Sequence, residues 1–155
     1  MSNLTDISDV IIIGSGPAGL SAAIYVVRAG LSVNVIEKEF MGTGQIADSS
    51  KVDNYLGIPA ISGYDLGESF REHALSLGVT IEDNNVTRLT PVDDIWELEL
   101  SDGSTKKARC VIYAAGCSHK KLQAENEEQY TGKGISYCAV CDGAFYKDKD
   151  VAVVG

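Results

Sequence analysis

The chain has 155 residues, 45% of them hydrophobic, and its 22 acidic and 13 basic side chains give a formal net charge of −9. This acidity argues against nucleic acid or an anionic membrane as a partner, because both are bound through basic patches. No apolar run approaches the ~18 residues that span a membrane. Asp6 and Asp9 stand where a secretory signal needs positive charge, and four cysteines are too few for a disulfide framework, so we expect a cytoplasmic protein.

The first predicted elements form a β–α–β unit. The β-branched run Asp9–Ile13 indicates a strand buried in a parallel sheet. Pro17 suits the first turn of a helix that we expect to reach about Arg28, and Gly30 is a natural stop for it. Ser32–Glu37 is predicted to be the second strand.

An irregular loop over residues 40–60 is followed by a predicted helix, Tyr64–Leu77, with Ser62 near its cap. The apolar period then changes to two, which indicates an antiparallel meander with a tight turn at Ser101–Ser104. The predicted strands are Val79–Glu82, Val86–Thr90, Ile95–Leu100 and Thr105–Tyr113.

The pattern of residues 9–14 recurs at residues 150–155, with Asp, Val and Gly at matching places and apolar residues between them. This repeat predicts that residues 150–155 form the first strand of a second nucleotide-binding unit, truncated at its first glycine. An ordinary edge strand is the alternative.

A dinucleotide fingerprint joins the first strand to the first helix. Its first glycine permits the tight turn, its second lets backbone N–H groups approach a pyrophosphate, and its third allows the helix to pack on the strand. The segment reads Gly14, Ser15, Gly16, Pro17, Ala18, Gly19. Glu37 ends the second strand, where it can bind a ribose diol and disfavours a 2′-phosphate. The residues therefore favour FAD or NAD over NADP, the alternative being a glycine-rich turn beside an exposed glutamate.

Two cysteines with CxxC spacing, Cys138 and Cys141, could form a disulfide or a dithiol that exchanges with other disulfides. Asp142 follows directly and could move protons during the exchange. Two alternatives stay open: two buried thiols without chemistry, or a zinc site that also uses Cys117 and His119.

These motifs together resemble the low-molecular-weight bacterial thioredoxin reductases. The resemblance extends over essentially the whole chain, but over only the first half of a typical family member. The segments that carry it are Gly14–Gly19, Gly44–Ile46, Val52–Gly57 and Tyr137–Phe145.

The resemblance implies a three-layer α/β FAD/NAD(P)-binding Rossmann-like domain with an antiparallel β-meander. It divides the chain into an FAD-binding portion, residues 1–116, and residues 117–155, which hold a connecting segment, the CxxC motif and the first strand of an NADPH-binding domain. It implies that NADPH reduces FAD, that FAD reduces the CxxC disulfide, and that the dithiol reduces thioredoxin. Cys141 would face the flavin, Cys138 would attack thioredoxin, and Asp142 would handle protons.

The same resemblance implies where the cofactor binds. Glu37 would bind the adenosine ribose, Gly44 and Gln45 would line the pyrophosphate and flavin, Asn54 would approach the isoalloxazine, and the backbone of Val86 would meet the adenine. Other residues expected at the cofactor are Lys38, Ile46, Ala114, Ala115 and Gly116.

The family also implies a homodimer, and no metal site is expected. Alternatives are a related flavin disulfide reductase that uses ferredoxin or a peroxidase system, and a non-catalytic FAD-binding fragment. We expect the 155-residue chain alone to lack NADPH-driven turnover.

Overall fold

The computed structural model describes residues 7–155, and for Val140 and Cys141 it describes the backbone only. Asp6, named above for its charge, lies outside the described residues. Contacts between Cα atoms divide the chain into two compact units, Met1–Gly116 and Cys117–Gly155. No helix in the part of the chain that the structure describes has the length and apolar character needed to cross a membrane.

The first unit is built on a six-stranded sheet with the strand order β3-β2-β1-β6-β5-β4. The strands β3, β2, β1 and β6 run parallel, while β6, β5 and β4 pair antiparallel. The elements are β1 (Ile7–Ile13), α1 (Pro17–Arg28), β2 (Val33–Glu37), a 3-10 turn (Gln45–Asp48), α2 (Gly63–Ser76), β3 (Thr80–Asp83), β4 (Val86–Val92), β5 (Ile95–Leu100) and β6 (Thr105–Tyr113).

The two helices of this unit cover one face of the parallel strands. The core on this face joins Val10, Ile12 and Val35 of β1 and β2 to side chains of the helices. The helical contributors are Leu20 and Ala23 of α1 and Ala74 of α2, all of them buried. This packing follows from the apolar stripe that each helix turns toward the sheet.

The meander covers the opposite face. Leu98 and Leu100 of β5 are buried in one cluster with Ile11 and Ile36 of the parallel strands. Helices, parallel sheet and meander thus form three layers, and the predicted α/β Rossmann-like fold is confirmed.

The C-terminal strand predicted at residues 150–155 is not formed. The structure assigns no secondary structure to this segment, and the side chains of Val151, Val153 and Val154 are exposed. A strand needs a hydrogen-bonded neighbour, and none of the described strands pairs with these residues.

The second unit contains two single-turn helices, α3 (Glu127–Tyr130) and α4 (Ala139–Asp142), and a 3-10 turn over Gly143–Tyr146. Its connecting segment is held by Glu127, whose carboxylate is buried. The phenol of Tyr137 donates to Glu127 Oε1, and the N–H of Gln123 donates to Oε2 at 2.6 Å. The Tyr137 oxygen in turn accepts the N–H of Leu122 at 2.9 Å, and its ring stacks on His119.

Candidate functional site

The glycine turn between β1 and α1 is closed by backbone contacts that leave no room for side chains. Gly14 has φ +101°, and a Cβ there would lie 2.4 Å from the carbonyl oxygen of Ala114. A Cβ on Gly19 would lie 1.9 Å from the carbonyl oxygen of Gly14. The predicted residues Gly14, Gly19, Ala114 and Ala115 are therefore brought together.

The N-terminus of α1 can accept an anion. Gly16 is the N-cap and Pro17 occupies the first turn; no side chain caps the helix and no acidic residue lies in that turn. Gly44 comes close to this end, since a Cβ on Gly44 would lie 3.0 Å from the Cα of Gly16. Free backbone N–H groups and the helix dipole at such an end favour negative charge, so a pyrophosphate fits the residues present.

Glu37 ends β2 beside this turn and is buried. Its Oε2 accepts the N–H of Ser15 at 2.7 Å and lies 2.8 Å from the Ser15 hydroxyl, while its Oε1 accepts the N–H of Glu39 at 3.0 Å. Burial raises the pKa of Glu37, but the hydrogen bonds from Ser15 and Glu39 outweigh it, and the pKa lies below its ordinary value. Glu37 is thus held as an anion.

A cavity of about 420 Å³ opens beyond Glu37. It lies at the carboxyl ends of β2 and β3, the place where open α/β sheets bind ligands. Its lining comes from the last residue of β3, from the residues that follow β2 and β3, and from the turn after β5: Lys38, Phe40, Asp83, Asn84, Asn85, Ser101 and Asp102.

The other predicted cofactor residues are more dispersed. Gln45 and Ile46 begin the 3-10 turn that follows Gly44, and Asn54 is exposed in the loop after Val52. Val86 begins β4 and packs with the meander core, outside the lining of the cavity. Ala18 of α1 and Gly116, after β6, are exposed.

In the second unit, Cys138 directly precedes α4 and is disulfide-bonded. The side chain of Cys141 lies outside the described residues. The carboxylate of Asp142 accepts a hydrogen bond from the Ser136 hydroxyl at 2.7 Å, and its N–H donates to the carbonyl of Cys138 at 3.0 Å. The Ser136 oxygen also accepts the N–H of Cys138 at 3.1 Å, so one hydroxyl links the cysteine backbone to the acid.

Sequence reasoning missed two residues near the glycine turn. Thr43 is buried, and its side chain fills the space above Gly67 of α2, where a Cβ would lie 2.3 Å from its hydroxyl oxygen. Phe40 is exposed on the rim of the cavity. Only the glycines of α2 could have signalled the close packing of this loop, because apolar periodicity does not extend into residues 40–60.

Several known proteins are similar to this chain in sequence or in structure. The thioredoxin reductase of Bacillus subtilis is 44% identical over 151 residues, which cover 96% of this chain and 46% of that protein. The crystal structure of the thioredoxin reductase from Streptococcus pyogenes matches with a TM-score of 0.77 and 38% identity, covering 92% of this chain and 46% of that one. A ferredoxin-flavin thioredoxin reductase from Clostridium acetobutylicum matches with a TM-score of 0.70 and 35% identity, covering 92% and 48%.

The chain therefore spans about half the length of the curated relatives it matches. Residues 8–155 match a family described as pyridine nucleotide-disulphide oxidoreductase, which accounts for the nucleotide-binding turn and the disulfide-bonded cysteine in one chain. This chain belongs to the pyridine nucleotide-disulphide oxidoreductase family.

Proposed function

We propose that this chain is part of a flavin-dependent disulfide reductase that passes electrons from NADPH, through FAD and a CxxC disulfide, to thioredoxin. The observation that carries the proposal is the disulfide-bonded Cys138 in a chain whose other unit presents an uncapped, glycine-flanked helix N-terminus. The similarity to thioredoxin reductases of several bacteria supports it.

FAD fits the residues of the first unit. The backbone of Gly16 and the N-terminus of α1 would hold its pyrophosphate, together with Gly44, and the anionic Glu37 would accept hydrogen bonds from a ribose diol. Gln45, Ile46 and Asn54 follow Gly44 along the chain and would face the flavin. When bound, FAD would supply the electron pair that reduces the disulfide.

The second unit would supply the thiols. We assign to Cys141 the thiol that faces the flavin and to Cys138 the thiol that attacks the disulfide of thioredoxin. In that exchange an S–S bond forms to the partner, the partner's own S–S bond breaks, and the second thiol then releases the product by closing the CxxC disulfide. Asp142, oriented by Ser136, would hold and return the proton.

Membership of this group also suggests a homodimer in the cytoplasm. A second candidate function differs only in the donor: a ferredoxin-flavin thioredoxin reductase is among the similar structures, so reduced ferredoxin could replace NADPH. Flavin bleaching by NADPH in the complete protein, compared with bleaching by reduced ferredoxin, separates the two candidates.

The test begins with flavin binding. Protein mixed with FAD and passed through a desalting column should keep the yellow absorbance of oxidised flavin. Cys141→Ser should retain the flavin but lose thioredoxin reduction in the complete protein, whereas Cys110→Ser, at an exposed cysteine on β6, should lose neither. A colourless protein, or an active Cys141→Ser variant, would contradict the proposal.

A further inference from the structure

Phe40 is a large aromatic residue in an unusual position. Its side chain is 82% exposed, although a phenylalanine ring gains most from burial. It occupies the second position of a tight turn, Glu39–Gly42, that is closed by the N–H of Gly42 donating to the carbonyl of Glu39 at 2.8 Å. The turn therefore presents the ring outward.

This turn is fastened to the residues that flank the nucleotide site. The N–H of Glu39 donates to Glu37 Oε1, and the carbonyl of Gly42 lies within hydrogen-bond distance of the Ser15 hydroxyl. Met41 adopts φ +53°, a left-handed conformation that a methionine keeps only where its surroundings impose it. The backbone that carries Phe40 is thus held at a set place relative to the carboxylate of Glu37.

Phe40 is one of the residues that line the cavity beyond Glu37. Asn84 and Asn85 line the same cavity, and hydrogen bonds hold them in place: Asn84 Oδ1 accepts the N–H of Asn85 and the hydroxyl of Ser101, each at 2.9 Å. The N–H of Asn84 donates to the carbonyl of Glu37 at 2.8 Å. An aromatic side chain and hydrogen-bonding amides in the lining of one cavity suit a flat heteroaromatic ring.

We propose that Phe40 stacks on the adenine base of FAD and so determines how tightly the adenosine end is held. The inference rests on the proposed function, which makes FAD the ligand. With the pyrophosphate at Gly16 and the ribose at Glu37, the base continues in the same direction, into the cavity that Phe40 borders. Stacking would cover the face of the ring that the chain itself leaves in water.

The experiment measures the dissociation constants of FAD, AMP and FMN for the purified chain. Because stacking on a base contributes substantially to affinity, Phe40→Ala should raise the dissociation constants of both FAD and AMP about tenfold. FMN, which lacks adenine, should bind the variant and the wild type equally. Phe40→Trp should bind FAD at least as tightly as the wild type, and Phe40→Leu should behave like Phe40→Ala, because it keeps an apolar side chain without an aromatic face.

Tyr25→Ala is the matched control, since Tyr25 is an exposed aromatic residue of α1 that does not line the cavity; its FAD affinity should equal that of the wild type. Equal FAD affinities for Phe40→Ala and wild type would overturn the inference while leaving the proposed function intact. A wild-type chain that binds neither FAD nor AMP would overturn both.

Discussion

Two glycines of the nucleotide-binding turn, Gly16 and Gly19, have different physical roles. A Cβ on Gly19 would overlap the carbonyl of Gly14, so this position is dictated by the packing of α1 on β1. A Cβ on Gly16 would meet its nearest atom, the Cα of Gly44, at 3.7 Å, an ordinary contact. The fold therefore requires glycine at position 19, whereas position 16 is left open on the side where a ligand would approach.

We predict that Gly19→Ala lowers the free energy of unfolding by about 3 kcal/mol, because the helix must move away from the strand to admit a methyl group. Gly16→Ala should change stability by less than about 1 kcal/mol but weaken FAD binding, since the methyl group would stand where the pyrophosphate approaches. Urea unfolding and FAD titration of both variants test this. Equal losses of stability in the two variants would contradict it.

Glu37 should make stability depend on pH in the acid range. Its pKa in the folded chain lies below the ordinary 4.5, so the folded state binds fewer protons than the unfolded state near that pH. The stabilisation is complete above the ordinary pKa and is lost as the pH falls through the folded value. Urea midpoints at about pH 6 and about pH 3.5 should therefore differ less for Glu37→Gln than for the wild type.

Glu39→Gln is the control for this prediction, because the Glu39 side chain is exposed and only its backbone N–H binds Glu37. It should keep the wild-type dependence on pH. A Glu37→Gln variant as sensitive to acid as the wild type would show that the hydrogen bonds from Ser15 do not favour the anion.

At the scale of single residues, the sequence predicts Glu37 as a ligand-binding residue but does not predict the residues that surround its carboxylate. Its place at the end of an apolar strand is visible in the residue pattern. The turn that wraps its carboxylate is not, because Met41 takes a left-handed conformation that normally indicates glycine. Phe40 cannot be predicted from the sequence either, because residues 40–60 have no apolar periodicity that would relate their side chains to a core.

Elements were predicted best where the apolar pattern alone determines them. Helix α1 and strands β5 and β6 have the predicted bounds. Strand β1 begins two residues earlier than expected because Ile7 and Ser8 pair with β6, a partner about a hundred residues away that local pattern does not reveal. Strand β2 begins at Val33, since the backbone and hydroxyl of Ser32 are bound to Asp9 instead.

The connecting segment of the second unit is ordered by the pair Tyr137 and Glu127, which the polar composition of the segment does not indicate. The hydrogen bond between Tyr137 and Glu127 lowers the pKa of Glu127 and raises that of Tyr137, and both residues also bind backbone N–H groups. A segment predicted only as a connection is thus ordered by one buried carboxylate and one phenol.

We predict that Tyr137→Phe makes the backbone amides of Leu122 and Gln123 exchange hydrogen several-fold faster, because the first loses its acceptor and the second loses a firmly held carboxylate. Hydrogen exchange followed by mass spectrometry measures this. Tyr130→Phe, which removes an exposed phenol of the same unit, should leave both amides unchanged. Faster exchange in both variants would indicate general loosening instead.

For the whole molecule, ligand binding should appear as added stability. If FAD binds only the folded first unit, a concentration of about 100 times its Kd adds about 2.7 kcal/mol and raises the unfolding temperature by several degrees. Scanning calorimetry with and without FAD measures the shift, and Gly16→Ala provides the control at the same FAD concentration. If the unfolding temperature did not change although the chain still bound FAD, as its yellow colour would show, the ligand would have to bind the unfolded chain equally well.

Strand β6 belongs to both the parallel sheet and the meander, because Lys107–Tyr113 pair with β1 and Thr105–Ala108 pair with β5. Ile13 and Tyr113 are neighbours in the sheet although their positions in the chain are 100 residues apart. During synthesis on the ribosome, β1 and β2 must therefore wait, with one edge of the sheet unpaired, until the whole meander has emerged. Chaperones that shield strand edges should matter most for nascent chains that have not yet reached residue 113.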